Sequence, residues 1–203
     1  MYDWQDDRVI VRNEEPEVLL TFDDGPTAYL PEMLSVLREK RVQALFFWQS
    51  SLLNQDDIPW RQVIDEGHLI GNHAHSHPKL PELSYDEQFE EIGKSKERLE
   101  RLTGREITRF RPPFGLYNED TMEIAKKLGL EVVLWQVASW DWKLKENKSQ
   151  IIENVREHTE SGDIVLLHEL PQTVKVLPEL IDQLRKKGHA LSRPHSHLTL
   201  KGK

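Results

Sequence analysis

The sequence predicts an α/β fold, a barrel of parallel strands carried by a single domain over residues 1–203. Three observations lead there. Short apolar runs alternate with longer amphipathic stretches along the whole chain, the pattern of repeated right-handed βαβ units. The alternation recurs about seven times, enough units to close a barrel rather than leave an open sheet. Polar residues of catalytic type follow directly or closely on five of the apolar runs, as they do where barrel strands end on one face.

Val18-Leu19-Leu20-Thr21-Phe22 reads as a buried strand. Pro31 to Lys40 reads as a helix, with Leu34 and Leu37 at helical spacing and Pro31 in the first turn. Ala44-Leu45-Phe46-Phe47-Trp48 is a second strand, and Pro59 to Glu66 a short helix closed by Gly67. His68-Leu69-Ile70-Gly71 is a third, weaker strand. Ser84 to Leu102 is the longest helix. Ser84 and Glu87 form a capping box, Gly104 stands beyond its end, and Phe89, Ile92, Leu99 and Leu102 form its apolar side. Ile107 to Phe110 is a strand, Asn118 to Leu128 a helix stopped by Gly129, and Val132 to Trp135 a strand. A helix over Ser149 to Thr159, a strand over Ile164 to Leu167 and a helix over Val174 to Lys187 follow, the last ended by Gly188. Ala190-Leu191 is a final short strand, and His195 to Lys203 reads as a loose tail.

Composition narrows the function classes. Lys+Arg number 27 against 35 Asp+Glu, a formal charge of −8, which argues against a nucleic-acid binder because such proteins need a basic face. There is no cysteine, so thiolate ligands, disulfides and a Cys nucleophile are excluded. No apolar run approaches the roughly 20 residues that span a bilayer. The start, Met1 to Asp7, is acidic and lacks the apolar stretch of a secretory signal, so the expectation is a cytosolic protein or one whose leader has been removed.

The polar residues after the strands carry the chemistry. His73 and His77 stand four apart, a spacing that can set two imidazoles on one side of a helical turn and hold a metal. Asp23 and Asp24 follow a strand directly, so their side chains diverge. Asp24 with His73 and His77 makes a two-His, one-carboxylate set suited to Zn²⁺, Co²⁺, Ni²⁺ or Fe²⁺ rather than Ca²⁺ or Mg²⁺. Such an ion makes water a usable nucleophile near neutral pH. Asp23 is then the candidate base, His168 the candidate acid, and Arg111 the partner that orients Asp23 and keeps it ionised. Hydrolysis of an amide or ester fits this set. His75 lies between the pair and reads as an exposed or supporting residue.

These residues resemble the polysaccharide deacetylases, carbohydrate esterase family four. Thr21-Phe22-Asp23-Asp24-Gly25-Pro26 is identical to that family's first motif, a match expected by chance with a probability on the order of 10⁻⁵. Gly71-Asn72-His73 through His77-Pro78 resembles the second motif, with Ala74 in place of the usual hydroxyl residue. Arg111-Pro112-Pro113-Phe114-Gly115 resembles the third and Leu166-Leu167-His168 the last, all in the family's order. The resemblance implies a distorted, TIM-like (β/α) barrel of seven or eight strands. It implies metal-dependent removal of acetyl groups from a glycan, with Asp24, His73 and His77 on the ion, usually zinc. By position, Asp23 is the base, Arg111 its partner, His168 the acid and Asp141 the carboxylate that tunes it. Leu166 and Trp142 line the pocket for the acetyl methyl, and a backbone N–H near Phe114 helps hold the oxyanion.

The fourth motif departs from the family. It usually reads Asp-x-x-Asp-Trp, and here it is Ala138-Ser139-Trp140-Asp141-Trp142. Trp140 and Trp142 fit either core packing or stacking on sugar rings. The leading expectation is a deacetylase of N-acetylated glycans of peptidoglycan or chitin type. The alternatives are an O-acetyl esterase on xylan, an amidase on a small non-sugar amide, and a glycan-binding relative without catalysis. An iron oxygenase is disfavoured, because the chain has no matching His-x-Asp.

Overall fold

The computed structural model describes residues 6–13, 15–54, 59–192 and 200–201. In chain order the elements are β1 (Val9–Ile10), β2 (Arg12–Asn13), β3 (Leu19–Gly25), α1 (Leu30–Lys40), β4 (Ala44–Trp48), α2 (Trp60–Asp65), β5 (Leu69–Asn72) and α3 (Tyr85–Thr103). Then come β6 (Arg109–Phe110), α4 (Glu119–Lys127), β7 (Glu131–Val133), β8 (Val137–Ala138), α5 (Lys148–His158), β9 (Ile164–His168), α6 (Pro171–Lys186) and β10 (Leu200–Lys201).

Eight of the strands form one curled parallel sheet in the order β1-β7-β6-β5-β4-β3-β9-β8, with helices packed on it: a distorted α/β barrel. The sheet is deepest where the sequence is most apolar. Leu19, Leu20 and Phe22 of β3, all of β4, and Ile164 to Leu167 of β9 are buried, as expected for parallel strands covered on both faces. Phe22 stacks on Phe46 with ring centroids 5.3 Å apart.

The distortion has a local cause. β1 pairs with β7, while β8 pairs only with β9, so these two strands are the edges of the sheet. The chain crosses between the two sides here: the Leu134 N–H donates to the Ile10 carbonyl at 2.8 Å, continuing the β1–β7 pairing, and two residues later the Gln136 N–H donates to the Ile164 carbonyl of β9 at 3.0 Å. Among the described residues no strand pairing joins β1 to β8, so the barrel is left open between these edges.

Several elements differ from the sequence expectation. β1, β2 and β8 have two residues each, too short to show a period, and were not expected. The strand expected over Val132 to Trp135 is Glu131–Val133, and Leu134 extends only its pairing with β1. The strand expected over Ile107 to Phe110 is only Arg109–Phe110. α6 begins at Pro171, three residues earlier than expected, with proline serving as its first-turn residue. α3 keeps its capping box and its left-handed Gly104 cap, but its buried face runs through Gln88, Ile92, Ser95, Leu99 and Thr103. Phe89 is 36% exposed and stacks on Tyr85 instead. Of Ala190-Leu191, only Leu191 makes a bridge, to Val18. Within the expected loose tail, Leu200–Lys201 pairs antiparallel with β2. His195 and His197 lie outside the described residues. Among the described residues, no helix is long and apolar enough to cross a membrane.

Candidate active site

The C-terminal ends of the strands bring distant segments to one cleft. β3 delivers Asp23 and Asp24, with Asp23 in register with His168 of β9. β5 delivers His73, and β6 delivers Arg111, whose N–H donates to the Asn72 carbonyl at 2.9 Å. A cavity of about 680 Å³ opens there, lined by Asp23, Asp24, His73, His77, Phe114, Trp142, Leu166 and His168 among others.

Asp24, His73 and His77 face one another, with one ligand atom from each lying within 4.8 Å of the others. His77 Nε2 is 3.3 Å and His73 Nε2 3.7 Å from Asp24 Oδ1. The donor set fits a metal. His73 Nδ1 lies 2.7 Å from the Arg111 carbonyl, which can only accept, so Nδ1 carries the hydrogen and Nε2 presents its lone pair. Burial pushes His73 down to about 3, which keeps the ring neutral. The Gln49 side-chain amide donates to Asp24 Oδ1 at 2.8 Å and fixes that carboxylate.

The pair does not sit on a helical turn, as its spacing suggested. Ala74 and His77 both have left-handed φ, 63° each, and the segment is a loop. Asn72 shapes it: its Oδ1 accepts from the Ala74 N–H at 2.8 Å and its Nδ2 donates to the Ile92 carbonyl at 2.9 Å. His75 points away and shares a 2.8 Å hydrogen bond with the Ser50 hydroxyl.

Asp23 lies beside this triad and is buried. Arg111 Nη1 donates to its Oδ1 and to the Thr21 hydroxyl, both at 2.7 Å. Nη2 donates to the Leu134 carbonyl at 2.8 Å and Nε to the Val133 carbonyl at 3.1 Å. Phe47 stacks under the guanidinium at 4.2 Å. Burial pushes the Asp23 carboxyl up, and the Arg111 charge works against that. The result is an anchored carboxylate with raised basicity, the property a proton acceptor needs.

On the opposite side His168 Nδ1 bonds Asp141 Oδ1 at 2.7 Å. Asp141 is itself fully buried, and its Oδ2 accepts from the His168 N–H at 2.8 Å and the Thr173 hydroxyl at 2.6 Å. Burial alone would lower His168, but the Asp141 bond and charge, with the charges of Asp23 and Asp24, outweigh it and raise the ring above the ordinary histidine value. Thr173, and Gln172 on the Asp141 carbonyl at 3.0 Å, hold this couple from the first turn of α6. Neither was found in the sequence, where both look like ordinary helix residues.

Leu166 is buried and Trp142 half-buried, its ring 4.9 Å from His168. Phe114, at φ 59° and 49% exposed, sets its ring against His77 at 4.5 Å. Trp140 is no core residue: it is 44% exposed, with Lys143 above its ring at 4.6 Å. The cavity continues past Ala138 through the open edge of the sheet to Asn154 and His158 of α5, residues with no role legible in the sequence.

Residues 11–133 match the sequence profile described as Polysaccharide deacetylase. The chain belongs to the polysaccharide deacetylase family. It is 32% identical over 181 residues to a peptidoglycan-N-acetylmuramic acid deacetylase of Bacillus subtilis, covering 87% of this chain and 69% of that protein. It is 34% identical over 189 residues to a peptidoglycan-N-acetylglucosamine deacetylase of Bacillus cereus, covering 88% and 86%. Among solved structures, the family 4 carbohydrate esterase from Streptomyces lividans in complex with acetate superposes with a TM-score of 0.82 at 28% identity, over 93% of this chain and 98% of that one. The family includes inactive members. A pseudoenzyme of Bacillus anthracis superposes with a TM-score of 0.82 at 26% identity, over 91% of this chain and 66% of that one.

Proposed function

We propose that this chain is a metal-dependent hydrolase that removes N-acetyl groups from a glycan of peptidoglycan type. The observation that carries the reading is the convergence of three groups on one cavity: the Asp24–His73–His77 cluster, the Asp23–Arg111 pair and the His168–Asp141 couple. The names of its relatives point to the same substrate class.

Asp24, His73 and His77 would hold the ion, Zn²⁺ first, with Co²⁺, Ni²⁺ and Fe²⁺ compatible with the same donors. When bound, the ion lowers the pKa of water and polarises the acetyl carbonyl. Asp23 takes a proton from the attacking water, with Arg111 holding the carboxylate in place. His168 gives a proton through Nε2 to the leaving nitrogen as the carbon–nitrogen bond breaks. Acetate and a free amine are the products. Leu166 and Trp142 enclose the methyl, and the chain turn at Phe114 offers a backbone N–H to the developing oxyanion. Ala138 supports the rival reading of a catalytically silent glycan binder, but Asp23, Arg111, Asp141 and His168 all keep partnered geometry.

The test is acetate and free-amine release by the zinc-loaded protein. N-acetylated peptidoglycan fragments, chitin oligomers and acetylxylan would be compared, with and without chelator. Chelator-sensitive release from the N-acetylated glycans is expected. Release from acetylxylan alone would make the protein an esterase, and no release from any substrate would overturn the proposal.

A further inference from the structure

One buried carboxylate near the site is not used by this chemistry. Glu169 follows His168 and is 1% exposed. Its Oε1 accepts from Trp48 Nε1 at 2.8 Å, and its Oε2 accepts from the Thr27 N–H at 2.8 Å and the Thr27 hydroxyl at 3.2 Å. All these neighbours are donors. The Glu169 backbone N–H donates to the Asp23 carbonyl at 3.1 Å. Residue 169 therefore grips both ends of the short segment that carries Asp24.

That segment needs gripping. Asp24 has φ 66°, a left-handed conformation that is strained for a non-glycine residue and persists only where its surroundings impose it. Gly25 lies directly against the Glu169 carboxyl, since a Cβ there would fall 1.8 Å from Oε1 and 2.7 Å from Trp48 Cδ1. The Gln49 N–H closes the remaining side on the Gly25 carbonyl at 2.8 Å.

We infer that Glu169, braced by Trp48 and Thr27, is a positioning residue that sets the Asp24 carboxylate for metal binding. This rests on the reading of Asp24, His73 and His77 as ligands. Glu169→Gln keeps the volume but turns one acceptor into an amide facing a donor, the Trp48 or the Thr27 N–H. Zinc titration of the purified variant, at a temperature where circular dichroism shows the native fold, should give affinity about 10–100-fold weaker than wild type. The Co²⁺-loaded variant should have an altered visible absorption spectrum. Thr27→Val, a milder change at a half-buried position, should weaken zinc in the same direction by less, and it serves as the test if Glu169→Gln does not fold. A purely structural role would lower the melting temperature and leave zinc affinity and the Co²⁺ spectrum unchanged; that result, in whichever variant folds, overturns the inference. Failure of the wild-type protein to bind zinc would instead overturn the ligand assignment itself.

Discussion

Replacing Asp141 with Asn tests the acid half of the site. The carboxylate has two jobs that one amide cannot do together. Its Oδ2 accepts from the His168 N–H and the Thr173 hydroxyl, and its Oδ1 accepts from His168 Nδ1. An asparagine that keeps its oxygen toward the two fixed donors must turn its NH₂ toward Nδ1. That forces Nδ1 to become an acceptor and strips the imidazolium of its counter-charge. Without that bond and charge to oppose burial, the His168 pKa moves down from its raised position. His168 must be protonated to act as the acid, so activity is lost as pH rises through that pKa. The alkaline limb of the pH–rate profile should therefore shift to lower pH. General acid catalysis is worth about 10²–10⁴-fold, so kcat at the optimum should fall by about 3–5 kcal/mol of barrier. Steady-state acetate release across pH, beside zinc titration, reads both effects. Zinc affinity should hold, because Asp141 is no ligand. A kcat within about threefold of wild type, under ~1 kcal/mol, or an unmoved alkaline limb would refute this account of the couple.

Three further outcomes follow from the same geometry. Asp23→Asn should bind zinc normally and lose turnover, since only the proton acceptor is gone; acetate release approaching wild type would remove Asp23 from its role. Arg111→Met leaves a buried carboxylate without its partner and should cost about 3–5 kcal/mol of stability in denaturant unfolding, whereas a loss under ~1 kcal/mol would mean that Asp23 is held by other groups. His68 is buried, accepts from the Ala44 N–H at 3.1 Å through Nδ1, and is pushed down by burial to about 4 from an ordinary 6.5. The folded state therefore favours the neutral ring, and this contribution is complete above pH ~6.5 and lost as pH falls toward 4. At 1.36 kcal/mol per pH unit it amounts to about 3 kcal/mol. His68→Gln, which keeps an acceptor, should flatten the acid decline of the melting temperature, and an unchanged slope would contradict that assignment.

Much of the site was legible because chemistry and position coincide in the sequence. Asp23, Asp24, Arg111 and His168 each stand at the end of an apolar run, and parallel strands converge at their C-terminal ends whatever their separation along the chain. The buried strands β3, β4 and β9 were equally plain, each carrying an apolar run before its site residues or turn. What was not legible depends on tertiary contact. Val9–Ile10 has no period, and its place beside β7 is decided by the gap that the chain leaves there. Gln172, Thr173 and Glu169 have meaning only through partners 31 to 146 residues away, since their types occur everywhere on protein surfaces. The His73–His77 spacing suggested a helix because it ignored the left-handed residues that Asn72 imposes.

The central claim is that one divalent ion sits against Asp24, His73 and His77. Anomalous diffraction from a zinc-soaked crystal, read at the zinc edge, tests it most directly. The account predicts a single strong peak bonded to Asp24 Oδ1 and to the Nε2 atoms of both histidines, and no such peak in His77→Ala under the same soak. A peak elsewhere, or one that survives loss of His77 undiminished, would contradict it.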